Sequence, residues 1–397
     1  MILQNYYAIL YFIVVCLGFG ISLDFFFKFT QKFDEYLYKF FALLTTGFGF
    51  FMLSMFLLGM IRMPMNYITF LIISLIIPIL KGFRWDRKIN FSFLSKFNKI
   101  NVYQILTLVI VLAFFCMMLK GTFSYPWHED DDPWSYSEGS KYVSEMRTYH
   151  TDSTLHGYSQ YLFPHSHCMI TVIFGLLNQV TPDLMFVMKF FICVFLMLGI
   201  MGFFLFTYNF TKNHLFAIIA TAILCITPCF AGHFIYNYTL SVCLFLIFLF
   251  TLSLALKEDR YILLSSMILG SVLIAHPIAG VQTAIVMFIM ILFYFVKDII
   301  INRYLINKTD RIFTILMIGI IGMIFAMQLY SVQPGTIFAV GHTPIVYTKT
   351  DTLGGNRFEF VLVPLLPQCV PLFYSVSIGT TFGYPSSTQL RSNFEYS

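Results

Sequence analysis

The chain has 397 residues, of which 58% are hydrophobic, 19% aromatic and only 11% charged, and its mean hydropathy is +0.80. These values exclude a soluble globular domain, because the hydrophobic fraction lies far above the usual range of such domains. The net charge of +5 does not indicate a nucleic-acid partner, since the basic residues are dispersed over short segments between apolar stretches. The composition therefore predicts an all-α polytopic protein whose main partner is the lipid bilayer.

Apolar stretches long enough to cross a bilayer follow one another along the chain. A helix needs about 20 mostly apolar residues for this, and counting such stretches predicts about eleven transmembrane helices. The predicted spans are 6–23, 40–61, 63–80, 100–119, 184–208, two within 213–256, two within 261–296, 312–331 and 360–379. Because Met1 to Leu23 contains no Lys or Arg, we interpret the first span as a retained helix and not as a cleaved signal peptide.

The charges between the spans predict the orientation in the membrane. Segment 81–99 contains six basic residues and one acid, so the positive-inside rule assigns it to the cytoplasm. Segment 121–167 contains seven acidic residues, with Lys141 and Arg147 as its only Lys or Arg residues, and is predicted to lie outside. The acidic external loop as a whole is expected to cover 121–183.

The apolar segment that follows the acidic residues is short for a membrane span. Its purely apolar part, Cys168 to Leu177, is introduced by Pro164, His165 and His167. A crossing here would place Lys257, Arg260 and the basic residues of 297–311 outside, against the positive-inside rule. We therefore expect a juxtamembrane or re-entrant helix at about 161–179, followed by an outward-to-inward span at 184–208.

The most informative motif is His128-Glu-Asp-Asp-Asp-Pro-Trp134, which directly follows a predicted membrane helix. The step from Asp132 to Pro133 predicts a helix start, with the carboxylate as N-cap and proline at the first helical position. The following run to Arg147 predicts an amphipathic helix on the membrane surface. Its expected apolar face consists of Trp134, Tyr142, Val143 and Met146, and Lys141 is expected to pair with Glu145.

The acidic residues allow two interpretations. Asp132 has a local role available as a helix cap, and Asp130 and Asp131 would ordinarily be a solvated loop tip. Aromatic residues surround them, however, and two of the chain's three tryptophans are among these. Aromatic rings beside carboxylates are typical of sugar-binding sites, although aromatic belts at membrane interfaces account for part of this enrichment.

At this point the order of elements resembles a known family, the C-type superfamily of integral-membrane glycosyltransferases (GT-C). That superfamily includes protein O-mannosyltransferases, oligosaccharyltransferase catalytic subunits and lipid A aminoarabinose transferases. The similarity rests on Asp130-Asp131-Asp132-Pro133-Trp134-Ser-Tyr136, on Tyr161-Leu-Phe-Pro164 before the juxtamembrane segment, and on the helix order. It divides the chain into three extra N-terminal helices with a basic loop (1–99), a seven-helix core (100–331) and a polar C-terminal region with a possible last helix (332–397).

The resemblance implies transfer of a sugar from a polyprenyl-phosphate donor to an acceptor at the outer face of the cell membrane. An external-loop carboxylate would be the general base, with Asp132 as the first candidate and Asp131 and Asp130 as the others. Further residues on the external side are expected to bind the substrate or the leaving phosphate. They are Trp134, Tyr136, Arg147, His276, Lys349 and Arg357. One departure from the family is that Cys229 to Tyr238, the second external loop, lacks an acidic residue.

Histidine content suggests a metal as well. Five of the nine histidines fall in the acidic external loop, and His165, His167 and Glu129 are candidate ligands for a divalent cation. Imidazoles and carboxylates suit zinc or manganese, and Mg²⁺ or Mn²⁺ would assist a departing phosphate. The opposing interpretation is a chance His-x-His pattern without ligand spacing.

Two other functions remain open at this level. A transporter would carry charged residues near the bilayer midplane and repeated halves with interrupted helices, of which only the break at Pro277 and Gly280 is present. A non-catalytic membrane protein that keeps the fold is the other alternative. The sequence identifies neither the sugar nor the acceptor.

Overall fold

The computed structural model describes residues 2–84, 101–128, 131–149, 169–227, 235, 237–275, 282–283, 285–289, 292 and 313–322. The chain divides after Val332 into two units, and every described residue belongs to the first of them. Over the described ranges the regular structure is entirely helical. The prediction of an all-α architecture is confirmed for this part of the chain.

The described residues contain eleven α-helices and two short 3-10 helices, Phe29–Lys32 and Asp259–Tyr261. The α-helices are α1 (Ile2–Phe27), α2 (Tyr36–Met60), α3 (Tyr67–Arg84), α4 (Val102–Thr122), α5 (Asp131–Met146), α6 (Met169–Asn178), α7 (Leu184–Thr211), α8 (His214–Ile226), α9 (Asn237–Ala255), α10 (Ile262–Ala275) and α11 (Phe313–Gly322). Five of them, α1, α2, α4, α7 and α9, are long and apolar enough to cross a membrane. The chain is therefore a helical membrane protein, while the count of eleven spans stays a prediction.

The predicted spans agree with these helices in position. The region 213–256 contains two helices, α8 and α9, and the spans predicted at 184–208 and 100–119 correspond to α7 and α4. Helix α8 has only 13 residues and extends about 20 Å, which is less than the hydrocarbon core. The span predicted at 360–379 lies outside the described residues.

The described segments that connect the helices lie at two opposite ends of the helix bundle. At the first end, which we name the α5 end, the side chain of Thr181 donates a hydrogen bond to Asn5 Oδ1 over 2.7 Å. At the other end, Lys257 Nζ donates to the backbone carbonyl oxygen of Asn209. Helix α7 joins the two ends, with Thr181 before it and Lys212 after it. The acidic residues after α4 thus lie at the end opposite to Lys212, Lys257 and Arg260.

The three N-terminal helices are not peripheral to the bundle. Helices α1 and α2 approach closely, because a Cβ atom on Gly47 would lie 1.8 Å from the Cys16 carbonyl oxygen. Small residues allow such close packing between membrane helices. Phe12 of α1 then packs edge-on against Phe191 of α7, with ring centroids 5.3 Å apart. The N-terminal helices therefore form part of the same core as α7.

Helix α6 lies where a juxtamembrane or re-entrant segment is predicted. It has ten residues, so it is about 15 Å long and cannot cross the hydrocarbon core by itself. All nine residues from Met169 to Leu177 are buried. Helix α6 is therefore enclosed by protein, chiefly by α5, and does not lie on a lipid surface.

Candidate functional site

The acidic motif lies at the α5 end, between α4 and α5. Helix α5 begins at Asp131, two residues before Pro133. The expected arrangement with Asp132 as N-cap and Pro133 as first helical residue is therefore wrong, since Asp132 is the second helical residue. Proline is tolerated there, because the amide groups of the first turn have no intrahelical acceptor. Both Asp131 and Asp132 lie in this first turn, and Asp130 lies outside the described residues.

Helix α5 packs against α6 through a face that matches the predicted one only in part, since Val143 is buried as expected and Tyr142 is partly buried. Its buried residues include Tyr136, Ser140 and Val143, whereas Trp134 and Met146 are 47% and 61% exposed. The reason is the close approach of the two helices, which hydropathy alone does not reveal. A Cβ atom on Gly175 of α6 would lie 2.7 Å from the Val143 Cβ atom. The prediction of an apolar face is thus confirmed for Val143 and Tyr142 and wrong for Trp134 and Met146, because the helix is docked on α6.

The predicted aromatic residues have different environments. Trp134 lies in the first turn of α5 with its ring partly open to the surroundings, and it meets the imidazole of His128 edge-on at 5.0 Å. Tyr136 is only 4% exposed and belongs to the packed face. Trp134 is therefore the aromatic residue that is accessible beside Asp131 and Asp132.

His128 connects the chain after α4 to α5. Its Nε2 atom lies 3.0 Å from Ser137 Oγ, and that hydroxyl donates to the carbonyl oxygen of Pro133. The tautomer of the imidazole decides which of the two atoms, Nε2 or Ser137 Oγ, is the donor. Among the residues that the structure describes, buried Nδ1 has no hydrogen-bond partner. Burial, followed by the positive charge of Lys189, lowers the pKa of His128 to about 4, so the ring is neutral at physiological pH.

Lys189 supplies a positive charge near His128 at the α5 end. It is the only charged residue in the 28 residues of α7, and it is 3% exposed. Its Nζ atom donates a hydrogen bond to the carbonyl oxygen of Tyr125 over 2.5 Å and lies 5.9 Å from the ring centre of Phe123. The Sδ atom of the preceding residue, Met188, lies 3.1 Å from Ser137 Oγ of α5. Lys189 therefore lies beside the beginning of α5.

Sequence reasoning passed over Lys189 as a functional residue, although a signal was present. A lone ionisable side chain in an otherwise apolar membrane helix is costly, and such residues tend to be functional. Its closeness to the acidic motif could not be read from the sequence, because 57 residues separate it from Asp132. The contact of Met188 with Ser137 supplies that information.

The described structure does not place the other predicted site residues next to Asp131 and Asp132. Arg147 follows α5, and the helix separates its backbone from that of Asp132 by about 22 Å. The remaining candidates lie outside the described residues: Glu129, Asp130, His165, His167, His276, Lys349 and Arg357. In the part that is described, no three His, Cys, Asp or Glu side chains come together in a way that could hold a metal ion.

A second polar cluster surrounds Asn209 at the opposite end of the bundle. Asn209 is 1% exposed, and its Nδ2 atom donates to Ser253 Oγ over 2.8 Å. Its side-chain oxygen accepts from Lys212 Nζ at 3.0 Å, and its carbonyl oxygen accepts from Lys257 Nζ. These bonds join the ends of α7 and α9, so the cluster has a structural explanation.

Comparison with known proteins yields no match: no protein-family model, no curated protein and no solved structure is similar to this chain. The arrangement of Asp131, Asp132, His128, Trp134 and Lys189 is accordingly the basis for assigning a function.

Proposed function

We propose that this protein is a GT-C type membrane glycosyltransferase that moves a sugar from a polyprenyl-phosphate donor to an acceptor at the outer face of the cell membrane. One observation carries the proposal. The first turn of α5, which contains Asp131 and Asp132, begins beside the buried cation Lys189 at the end opposite to Lys212 and Lys257. A carboxylate and a cation together are what displacement of a phosphate from a sugar requires.

The chemistry is a direct displacement at the anomeric carbon. The acceptor oxygen forms a bond to that carbon while the bond from the carbon to the phosphate oxygen breaks. The acceptor proton passes to the carboxylate of Asp132, and the electron pair of the broken bond leaves with polyprenyl phosphate. Asp131 and Asp130 are the alternative bases. Trp134, with its exposed ring in the same turn, would stack on the sugar.

His128 has a supporting role in this scheme. Its imidazole meets the Trp134 ring edge-on and contacts Ser137 of α5, so it helps to hold Trp134 beside the first turn of α5. A divalent metal bound by Glu129, His165 and His167 would stabilise the charge of the departing phosphate, and these three residues lie outside the described part of the chain.

The distribution of charge favours this proposal over a transporter. A transporter needs ionisable groups near the bilayer midplane. In the five described helices that are long enough to cross a membrane, every Asp, Glu, Lys or Arg lies within the first or last six residues, and Lys189, the sixth residue of α7, is the deepest. Charge is therefore concentrated at the ends, where an interfacial enzyme binds its lipid-linked donor.

The direct test replaces Asp130, Asp131 and Asp132 one at a time by Asn and measures consumption of lipid-linked sugar in membranes. Loss of the general base is expected to lower the rate by roughly 100- to 10,000-fold. Glu145→Gln is the matched control, because Glu145 is an exposed carboxylate near the far end of the same helix. Full activity in all three aspartate variants would refute the assignment.

A further inference from the structure

Two exposed lysines at the end opposite to the α5 end share one buried side chain. Lys212 directly follows α7 and Lys257 comes shortly after α9, and both ammonium nitrogens contact Oδ1 of Asn209, at 3.0 and 3.4 Å. Asn209 is 1% exposed, whereas the two lysines are exposed. We name Lys212 and Lys257 the lysine pair. Because both nitrogens contact the same atom, one anion can reach both of them.

The lysine pair has unused hydrogen-bond donors. An ammonium group has three N–H donors, and the two groups together make three contacts with Asn209. In the described part of the chain, neither lysine forms an ion pair with a carboxylate. Glu258, the residue after Lys257, is bound instead by Lys32 and by Arg260, the latter over 2.8 Å. The lysine pair is therefore available to an anionic ligand.

The electrostatics of the lysine pair favour such a ligand. Burial and then the charge of Lys212 lower the pKa of Lys257. Burial and the charge of Lys32 likewise lower the pKa of Lys212, although Asp34 and Glu35 oppose this shift. A lowered pKa means that the surroundings destabilise the ammonium form. A negative charge between the two nitrogens would offset this destabilisation, whereas a neutral ligand would not.

The lysine pair lies at the level of lipid headgroups. Helix α7 has 28 residues and is about 42 Å long, so it extends about 6 Å beyond each side of the hydrocarbon core when it is centred in the bilayer. Lys212 directly follows this helix and thus lies in the headgroup layer. The positive-inside rule predicts that this end faces the cytoplasm, where the membrane leaflet carries anionic lipids.

An exposed apolar stripe starts next to Lys212 and enters the membrane. Helix α8 begins at His214, and its residues Leu215, Ile219 and Ile223 are each at least half exposed. Residues four apart lie on one face of a helix, so these side chains form a continuous stripe. A lipid whose phosphate contacts Lys212 can therefore place its acyl chains along α8.

We propose that the lysine pair binds the phosphate of an anionic phospholipid, and that the acyl chains of this lipid lie along the exposed stripe of α8. The two positive charges select a headgroup with a net negative charge, such as phosphatidylglycerol, over zwitterionic phosphatidylcholine. The bound phosphate links the ends of α7 and α9. This site lies at the opposite end of the bundle from Asp131 and Asp132, and it does not depend on the proposed glycosyltransferase activity.

Native mass spectrometry of the purified protein in non-ionic detergent counts the bound lipids. We expect the protein to retain dioleoyl phosphatidylglycerol in preference to dioleoyl phosphatidylcholine. Lys212→Gln combined with Lys257→Gln keeps N–H donors for Asn209 but removes both charges, and it should lower the affinity for phosphatidylglycerol on the order of 10- to 50-fold. Exchanging both lysines for Arg should change it only a few-fold. Lys28→Gln is the matched control, since exposed Lys28 follows α1 with the same left-handed backbone as Lys212 but lies outside the pair.

Asn209→Asp tests the same point in a variant that should keep its stability, because the new carboxylate is an acceptor for both lysines. That carboxylate also neutralises part of the charge of the lysine pair. Retention of phosphatidylglycerol should therefore fall although the fold persists. Equal retention by the unmodified protein, the double Gln variant and Asn209→Asp would overturn the proposal.

Two further probes distinguish a lipid from free phosphate. Dihexanoyl phosphatidylglycerol has the same headgroup with short chains and should bind more weakly than the dioleoyl lipid. Ile219→Ala combined with Ile223→Ala should reduce this difference. Inorganic phosphate should not displace the dioleoyl lipid. Displacement by inorganic phosphate at the lipid's own concentration, or equal retention of phosphatidylcholine and phosphatidylglycerol, would refute the lipid site.

Discussion

The Nε2 atom of His128 lies 3.0 Å from the hydroxyl oxygen of Ser137, and this contact fastens the segment after α4 to the second turn of α5. The ring is held neutral, because burial and the charge of Lys189 both disfavour its protonated form. Stability of the α5 end is therefore coupled to pH through this one side chain.

The first prediction concerns the effect of acidic pH on the free energy of unfolding. Below pH of about 6.5, the unfolded chain binds a proton at His128 that the folded protein, with a pKa of about 4, does not. The free energy of unfolding should thus fall as the pH decreases from about 6.5 to about 4. Because the ring is only partly buried, we expect a loss of about 1–2 kcal/mol after allowing for solvent screening. Thermal unfolding in detergent at several pH values measures it.

The control for this prediction is His128→Gln, whose amide can still donate to Ser137 but does not titrate. The decrease in unfolding temperature between neutral and mildly acidic pH should be smaller in this variant than in the unmodified protein. An identical pH dependence in both proteins would show that His128 does not carry the effect.

Hydropathy predicted much of the helical framework because a bilayer imposes a minimum length on apolar helices, as in α2, α4 and α7. The helix that contains Asp131 and Asp132 was also predictable from the step into Pro133, although its start was placed too late. The packed face of α5 was predictable only in part: Val143 was expected in it, whereas the burial of Tyr136 and Ser140 depends on the close approach of Gly175. The position of Lys189 beside α5 likewise depends on the tertiary packing of α7.

A second prediction uses that close approach. A methyl group on Gly175 would lie 2.7 Å from Val143 Cβ and 2.8 Å from the carbonyl oxygen of Ser140, so α5 must shift to admit it. Gly175→Ala is expected to lower the free energy of unfolding by about 1–3 kcal/mol and to reduce donor consumption without touching a site residue. Thermal unfolding and the membrane activity assay measure the two effects.

Gly319 of α11 supplies the matched control. The nearest atom to a Cβ there is a flexible methionine methyl of Met287 at 3.8 Å, which is ordinary contact. Since alanine favours a helix by about 1 kcal/mol over glycine, Gly319→Ala should be neutral or slightly stabilising. If Gly175→Ala behaved in the same way, α5 would not be held against α6 as tightly as the structure indicates.

A third prediction concerns Asn209 at the opposite end. Burial, and then the neighbouring lysines, lower the pKa of both Lys212 and Lys257, so their ammonium groups depend on acceptors such as Asn209. Asn209→Leu removes one acceptor and should destabilise the protein by about 2 kcal/mol. Asn209→Asp keeps an acceptor and adds a negative charge between the lysines, so thermal unfolding should show it at least as stable as the unmodified protein. Equal destabilisation by Leu and Asp would contradict this account.

The last prediction fixes the orientation of the bundle. Thr181 is 1% exposed, so a cysteine there would react poorly, whereas Glu145 on α5 and Asp259 at the opposite end are both exposed. In a background without native cysteines, an impermeant maleimide should label Glu145→Cys in intact cells and Asp259→Cys only after permeabilisation. This outcome follows from the positive-inside rule, since the sequence just before α4 is rich in Lys and Arg and Tyr103, at the start of α4, stacks on His214 at the end where Asp259 lies. The reverse pattern would put Asp131 and Asp132 in the cytoplasm and exclude transfer to an acceptor at the outer face.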